Sequence, residues 1–243
     1  MAFACVTPTY SFSADNVAIA ISHGAFGGHI GVAFHSNGAG PQLLHLRFHQ
    51  DLDVEAFPPT RPCWIATVVQ LPIPASKHLV GIVRYVAKNL PRINFGVDFI
   101  AARGSFSATG VYNPPPGSNG LTCATFVTEI FRAAALTLIR EQSWQPHPDN
   151  YQWSAEVIDE LRRRGASQGH LMAVALSFRG LRVRPEEVGA AADSPVGLRP
   201  LDFASARAGA PAVQGILNSC CPPRKTMVGA VAKAIRVLWP KRH

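Results

Sequence analysis

Gly120-Leu121-Thr122-Cys123-Ala124-Thr125-Phe126-Val127 runs from a turn into a strongly periodic stretch, and Cys123 falls on the first turn of the helix that this period predicts. The first amides of a helix lack internal partners and the macrodipole adds positive potential there, so a thiolate at that place is stabilised and becomes a nucleophile. Two histidines can serve such a thiol. His29 and His45 lie on the two arms of a β-hairpin predicted over residues 28–50, and folding near Asn37-Gly38 brings them roughly opposite each other. A thiol beside a paired imidazole is the chemistry of covalent acyl transfer, in which one ring takes the thiol proton and a second polar group fixes that ring. As a metal site the pair lacks a third ligand, and neither a metal nor an organic cofactor is expected. Cys123 also lies on the helix's apolar stripe, so a small core cysteine without chemistry stays open as a reading.

The elements that must hold these groups follow from period and punctuation. Residues 112–120, with three consecutive prolines and Gly117, cannot continue a helix or a central strand, so the chain enters the Cys123 helix abruptly from a loop. Thr122 is placed as its N-cap, and Phe126, Val127, Ile130, Phe131, Ala134 and Leu138 form the buried stripe. In the hairpin, Ile30, Val32 and Phe34 with Leu44, Leu46 and Phe48 make a core face. The opposite face carries His29, Gly31 and Ala33 with His45, Arg47 and His49, and its small residues let a helix approach closely. The other histidines, His23, His35, His49, His78, His147, His170 and His243, read as solvated or satisfied side chains.

Elsewhere the sequence predicts a strand over residues 17–21 and another over 64–72, then a helix from a Ser76 cap to about Leu90. A further helix is expected over 155–164, with Arg162, Arg163 and Arg164 complementing its dipole. Leu181-Arg182-Val183-Arg184 alternates like one more strand. With 243 residues, 47% of them apolar and only 16% charged, the chain can bury a full core. Five cysteines at positions 5, 63, 123, 220 and 221 are an odd number without the spacing of a disulfide framework. No apolar run is long enough to span a membrane and no cleavable signal peptide is recognised, so the expected location is cytoplasmic, or exported by a route that needs no such signal.

The net charge of +8 is unevenly placed: residues 1–202 carry 16 Lys and Arg against 15 Asp and Glu, and residues 203–243 carry seven basic residues and no acid. The division expected is therefore a catalytic domain over 1–202 with a C-terminal elaboration, followed over 203–243 by an Ala/Gly-rich linker and a basic amphipathic tail. Residues 224–242 could lie on an anionic membrane surface, with Cys220 and Cys221 as lipidation candidates, or form a docked helix or a disordered tail. A neutral body and a tail without interleaved aromatics speak against nucleic acid as a partner.

Taken together, the strand bearing His29, the second strand bearing His45 and the late helix beginning at Cys123 resemble the circularly permuted branch of the NlpC-type papain-like superfamily, which includes YiiX-like bacterial proteins and the lecithin-retinol acyltransferase family. His29-Ile30-Gly31-Val32 is similar to the catalytic-histidine strand of that branch, Leu44-His45-Leu46 to the strand carrying its third polar residue, and Thr122–Val127 to its nucleophile helix. Val97-Asp98-Phe99 stands where YiiX-like members have a Tyr-Asp-x-x-Phe-like segment, without the Tyr. The acyltransferases' Asn-Cys-Glu-His-Phe signature is absent, and their turn between the two histidine strands is shorter. The resemblance spans about residues 17–140.

It implies an α+β, papain-like fold in which an antiparallel sheet packs against the helix bearing the nucleophile. It further implies Cys123 as nucleophile with its pKa drawn down to about 3 to 4, His29 as base and His45 as its orienting partner. Backbone amides at the helix start would hold the oxyanion, with Tyr112 and Thr122 as further oxyanion or substrate-binding residues. The expected activity is a thiol hydrolase of amide bonds in peptide-like substrates, bacterial cell-wall peptides by analogy. A lipid acyltransferase or thioesterase at a membrane surface, and a non-catalytic binding module on the same fold, are the competing readings.

Overall fold

In a computed structural model of the chain, which describes residues 2–36, 38, 40–59 and 62–223, the architecture is α+β. One six-stranded antiparallel sheet is built from β1 (Ala4–Cys5), β2 (Ala18–Gly24), β3 (Gly27–His35), β4 (Pro41–Phe48), β5 (Asp51–Ala56) and β6 (Trp64–Val68), in the order β1-β6-β2-β3-β4-β5. The helices are α1 (Ile73–Asn89), α2 (Cys123–Ala133), α3 (Asp149–Arg163), α4 (Gln168–Ser177), α5 (Pro185–Asp193) and α6 (Phe203–Cys220).

Strand alternation sorts the sheet into two unlike faces. Ile19, Ile21, Ile30, Val32, Phe34, Leu44, Leu46 and Ile65 point into the main core, where Phe126, Val127, Ile130 and Phe131 of α2 meet them together with the inner faces of α1 and α5. Truncating a fully buried ring such as Phe126 to Ala would cost about 3–5 kcal/mol. The second face is made of Ala18, Ala20, Ala33, Leu43, Trp64 and Ala66, and it is covered by Val6, Tyr10, Phe12 and Phe57. The small-residue face therefore receives the N-terminal segment, not the Cys123 helix, because the apolar stripe of α2 finds far more area on the Ile and Val face. A third cluster joins α3 and α4 to Phe48, Phe95 and Val97.

Several sequence expectations change here. Residues 203–219 are not a linker: Asp202 caps α6 by accepting the Ser205 N–H at 2.8 Å, and Ala206, Val213 and Leu217 are buried in the main core. The folded body thus extends past residue 202 to Cys221. Ala and Gly there serve close packing, since a Cβ on Gly209 would stand 2.8 Å from the Ala190 Cβ of α5. Cys220 and Cys221 are not free for lipidation; they form Cys5–Cys220 and Cys63–Cys221 disulfides across 215 and 158 residues of sequence. Helix α1 starts at Ile73, and Ser76 is buried inside it, donating to the Asp15 carbonyl at 2.6 Å. Leu181–Arg184 is extended but joins no strand of the sheet. The basic stretch 224–242 lies outside the described residues. Among those described, no helix is long and apolar enough to cross a membrane.

Candidate active site

Two local devices place Cys123. Thr122 Oγ1 accepts the Thr125 N–H at 3.1 Å while Thr125 Oγ1 accepts the Thr122 N–H at 2.7 Å, a reciprocal capping box that fixes where α2 begins. Ahead of it, Gly120 at φ +118 lets the chain pass against strand-like residues: Leu121 N–H donates to the Asn94 carbonyl at 2.9 Å, and a Cβ at Gly120 would lie 2.0 Å from that same oxygen. Behind α2, Glu129 accepts the Gly104 and Ser105 amides and pairs with Arg132, which also pairs with Glu141. These contacts tie the 94–121 segment to the helix.

The hairpin supplies the imidazoles. Register Val32↔Leu44 continues to Gly31 opposite His45, so the two histidines are diagonal neighbours and not directly opposite. His29 Nε2 and His45 Nδ1 are 2.8 Å apart. Gly31 makes this possible, because a Cβ there would stand 2.8 Å from the His45 Cβ and 2.9 Å from the Leu44 carbonyl oxygen. Beyond His45, Glu55 Oε1 of β5 stands 3.3 Å from His45 Nε2, off line for a hydrogen bond although that nitrogen is buried and has no aligned partner. Glu55 was not among the residues the sequence pointed to; its position on β5 opposite Leu43, beside the His45 strand, was the available signal.

With Glu55 near His45 Nε2, the arrangement suited to taking a thiol proton has N–H on His45 Nε2 and on His29 Nε2, His45 Nδ1 as acceptor and a lone pair on His29 Nδ1. Among the described residues, His29 Nδ1 has no hydrogen-bond partner, and the half-buried ring lines a cavity of about 270 Å³. Cys123, Thr122 and Ala124 line the same cavity, as do His45, Trp64 and Arg182. Tyr112 does not: it packs on Phe106 at a ring separation of 5.2 Å, held by the Phe106–Tyr112 bridge of its own loop. Thr122 reaches the cavity with its hydroxyl committed to the cap; at the start of α2 the Ala124 amide faces the Cys123 sulfur, which leaves the Cys123 amide for a ligand oxygen.

Electrostatics run against a preformed ion pair. Burial pushes the Cys123 thiol up to about 11, overriding the Ile30 amide, the Arg182 guanidinium and the Ala124 amide, all of which favour the thiolate. Burial, then the neighbouring charges of His45 and Arg47, lowers His29 to about 3, and burial and Arg47 lower His45 to about 4. The depressed thiol expected from the helix N-terminus is thus not what this site has. Desolvation of a charged sulfur outweighs the helix end. Among the described residues no hydrogen bond joins Cys123 to either imidazole; alternation turns His29 toward Ser22 and Trp64, while Cys123 sits over the Ile30 backbone.

Two charged groups near the thiol come from the Leu181–Arg184 stretch, expected as a strand, and from the helix that follows it. Arg182 lies over the Trp153 ring at 4.2 Å and donates to the Phe26 carbonyl at 2.7 Å. Glu186, buried at the start of α5, occupies the space above Gly28, where a Cβ would be 2.2 Å from its Oε1. Of the remaining histidines, His23, His35 and His170 contact backbone carbonyls of Cys221, Phe12 and Phe95, and His49 accepts the Phe95 N–H. His243 lies outside the described residues. Comparison with protein-family models, with curated proteins and with solved structures finds no match to this chain.

Proposed function

We propose that the chain is a cysteine hydrolase of amide bonds in peptide-like substrates, built on a permuted, NlpC-type papain-like plan, with cell-wall peptides as the substrate class that the resemblance implies. The observation that carries the reading is the His29–His45 pair, 2.8 Å apart nitrogen to nitrogen with Glu55 behind His45, lining the cavity that also holds the sole free thiol among the described residues.

Because thiol and imidazole are both neutral at rest, the mechanism is general-base attack and not use of a stored thiolate. Moving the proton from sulfur to His29 before substrate binds is uphill by on the order of 10 kcal/mol, from about 11 against about 3. The transfer therefore occurs as the sulfur–carbonyl bond forms, with the His29 ring, which has no hydrogen bond to the thiol at rest, turning toward the sulfur, and with the negative charge passing to the carbonyl oxygen and the Cys123 amide receiving it. His29 then protonates the departing amine, the C–N bond breaks, and a thioester remains on Cys123. Water attacks that thioester, gives its proton to His29, and releases the acid as the thiol takes the proton back. His45 positions His29 throughout.

A non-catalytic binding module on the same plan is the second reading, and the protonated thiol without an imidazole hydrogen bond favours it. The two readings part in one assay: p-nitrophenyl acyl esters incubated with the full, disulfide-intact chain. The hydrolase releases about one equivalent of nitrophenol in a burst and carries the acyl mass on the Cys123 peptide, and both are lost in Cys123→Ala and slowed about 100-fold or more in His29→Ala. Nitrophenol release that persists unchanged in Cys123→Ala overturns the proposal.

A further inference from the structure

Three guanidinium groups line the cavity beside Cys123, and two are already neutralised. Arg47 pairs with Asp51 at 2.9 Å and Asp53 at 3.1 Å, and Arg164 pairs with Glu160 at 2.7 Å. Arg182 is different: among the described residues it has no carboxylate within ion-pair distance. Its one hydrogen bond, from Nη2 to the Phe26 carbonyl, leaves Nε and Nη1 unused. The Trp153 ring beneath it fixes the plane of the fork, and the Trp144 indole N–H holds the Arg182 carbonyl at 3.0 Å, so the group is pre-set. It lines the same cavity as Cys123, and its charge favours a thiolate there. Glu186 and Glu187 contribute negative potential and Arg184 positive, but none pairs with it, and Glu187 is spent on the Arg184 amide at 2.8 Å.

Five aromatic side chains, Phe26, Phe48, Phe95, Trp64 and Trp153, share the cavity wall with the two histidines and with small and polar residues. A half-buried, rigid, unpaired guanidinium in an aromatic cavity is a receptor for a planar anion attached to an apolar body. We propose that Arg182 binds a carboxylate of the substrate, so that the compounds acylating Cys123 are apolar or aromatic acyl groups bearing a carboxylate close to the reacting carbonyl. Substrate here carries the acyl-transfer meaning given above and rests on that reading; the carboxylate site itself does not.

Alkylation of the full, disulfide-intact chain by iodoacetate and by iodoacetamide tests this, since Cys123 is the free cysteine and intact mass reports its modification. Glutathione, run in parallel, supplies the intrinsic ratio of the two reagents. The expected result is an iodoacetate-to-iodoacetamide rate ratio about tenfold or more above that of glutathione, the least a charge-assisted hydrogen bond is worth, with iodoacetate rates that saturate. The ratio falls toward glutathione's in Arg182→Gln and is partly kept in Arg182→Lys. A parent ratio equal to glutathione's, or one unchanged in Arg182→Gln, overturns the proposal. If Arg182→Gln does not fold, the parent alone decides: phenylacetate, but not phenylacetamide, slows alkylation by iodoacetamide, and equal protection by both, or none by either, overturns it. Loss of the nitrophenol burst with a retained iodoacetate preference would remove the hydrolase and leave the carboxylate site standing.

Discussion

The protonation state of the Cys123 thiol decides how the site can react. An ordinary thiol value of 9.0 raised to about 11 means about 100-fold less thiolate at any pH below 9, tenfold for each unit. Since the thiolate is what reacts with iodoacetamide, the logarithm of the alkylation rate should climb with unit slope from pH 6 past pH 10 without levelling. The same protein unfolded in urea should level off near pH 9. At pH 7 to 8 the native thiol would trail the unfolded one by about 100-fold from ionisation alone. Restricted access would lower every native rate by one factor and leave the slope intact, so the position of the plateau is the quantity to read. Arg182→Gln removes a favourable charge and should delay the plateau further, whereas Glu186→Gln removes an unfavourable one and should bring it earlier. A native plateau below pH 7 would refute the balance drawn here, because it would mean that the helix end and its neighbours outweigh desolvation and that the thiolate is stored.

The histidine pair makes a separate claim about acid. Burial holds His29 at about 3 and His45 at about 4 in the folded chain against 6.5 when unfolded, so their contribution to stability is complete above pH 6.5 and is lost progressively as pH falls from there to the folded values. Urea unfolding between pH 7.5 and 4.5 should lose about 1.4 kcal/mol per pH unit for each extra proton taken up, and His45→Gln should reduce that uptake by about one proton; an unchanged slope counts against the assignment. Gly31→Ala should cost about 1–3 kcal/mol by crowding His45 against β4, and should slow the nitrophenol burst, both readable from denaturation and burst kinetics. Reducing both disulfides frees spans of 215 and 158 residues and should lower unfolding free energy by about 2–5 kcal/mol, measured as a fall in Tm; an unshifted Tm would mean the links add no constraint.

What was legible in the sequence is what period and local punctuation encode. Thr122 as a cap, the α2 stripe through Phe131 and the two hairpin arms follow from neighbours a few residues apart and are present, whereas the helix stops at Ala133, so that Ala134 caps it and Leu138 is buried from the chain beyond. Alternation in Leu181–Arg184 predicts a strand that does not form, because a partner strand depends on distant chain; Arg182 and Val183 both line the cavity instead. Helix α6 was missed because Ala, Gly, Ser and Pro read alike in a linker and in a helix packed closely on another. The cysteine pairings span 158 and 215 residues, and no spacing rule reaches that far. The thiol's pKa was misjudged for a related reason: the helix end that favours a thiolate is local, while the burial that opposes it is assembled from β3, the Arg182 segment and α5.

The paired links at Cys220 and Cys221 change how the molecule answers to a protease. Cys5 and Cys63 lie near the front of the chain, and both are tied to adjacent residues at its far end. A single backbone cut anywhere between residues 5 and 220 therefore leaves every fragment covalently attached, and a cut between 63 and 220 leaves two bonds holding the pieces. Nicked protein would run as one species on a non-reducing gel and as two once reduced. The chain from Cys5 to Cys221 behaves as a closed loop that tolerates one break, so surface turns can be cleaved without the sheet and α6 parting.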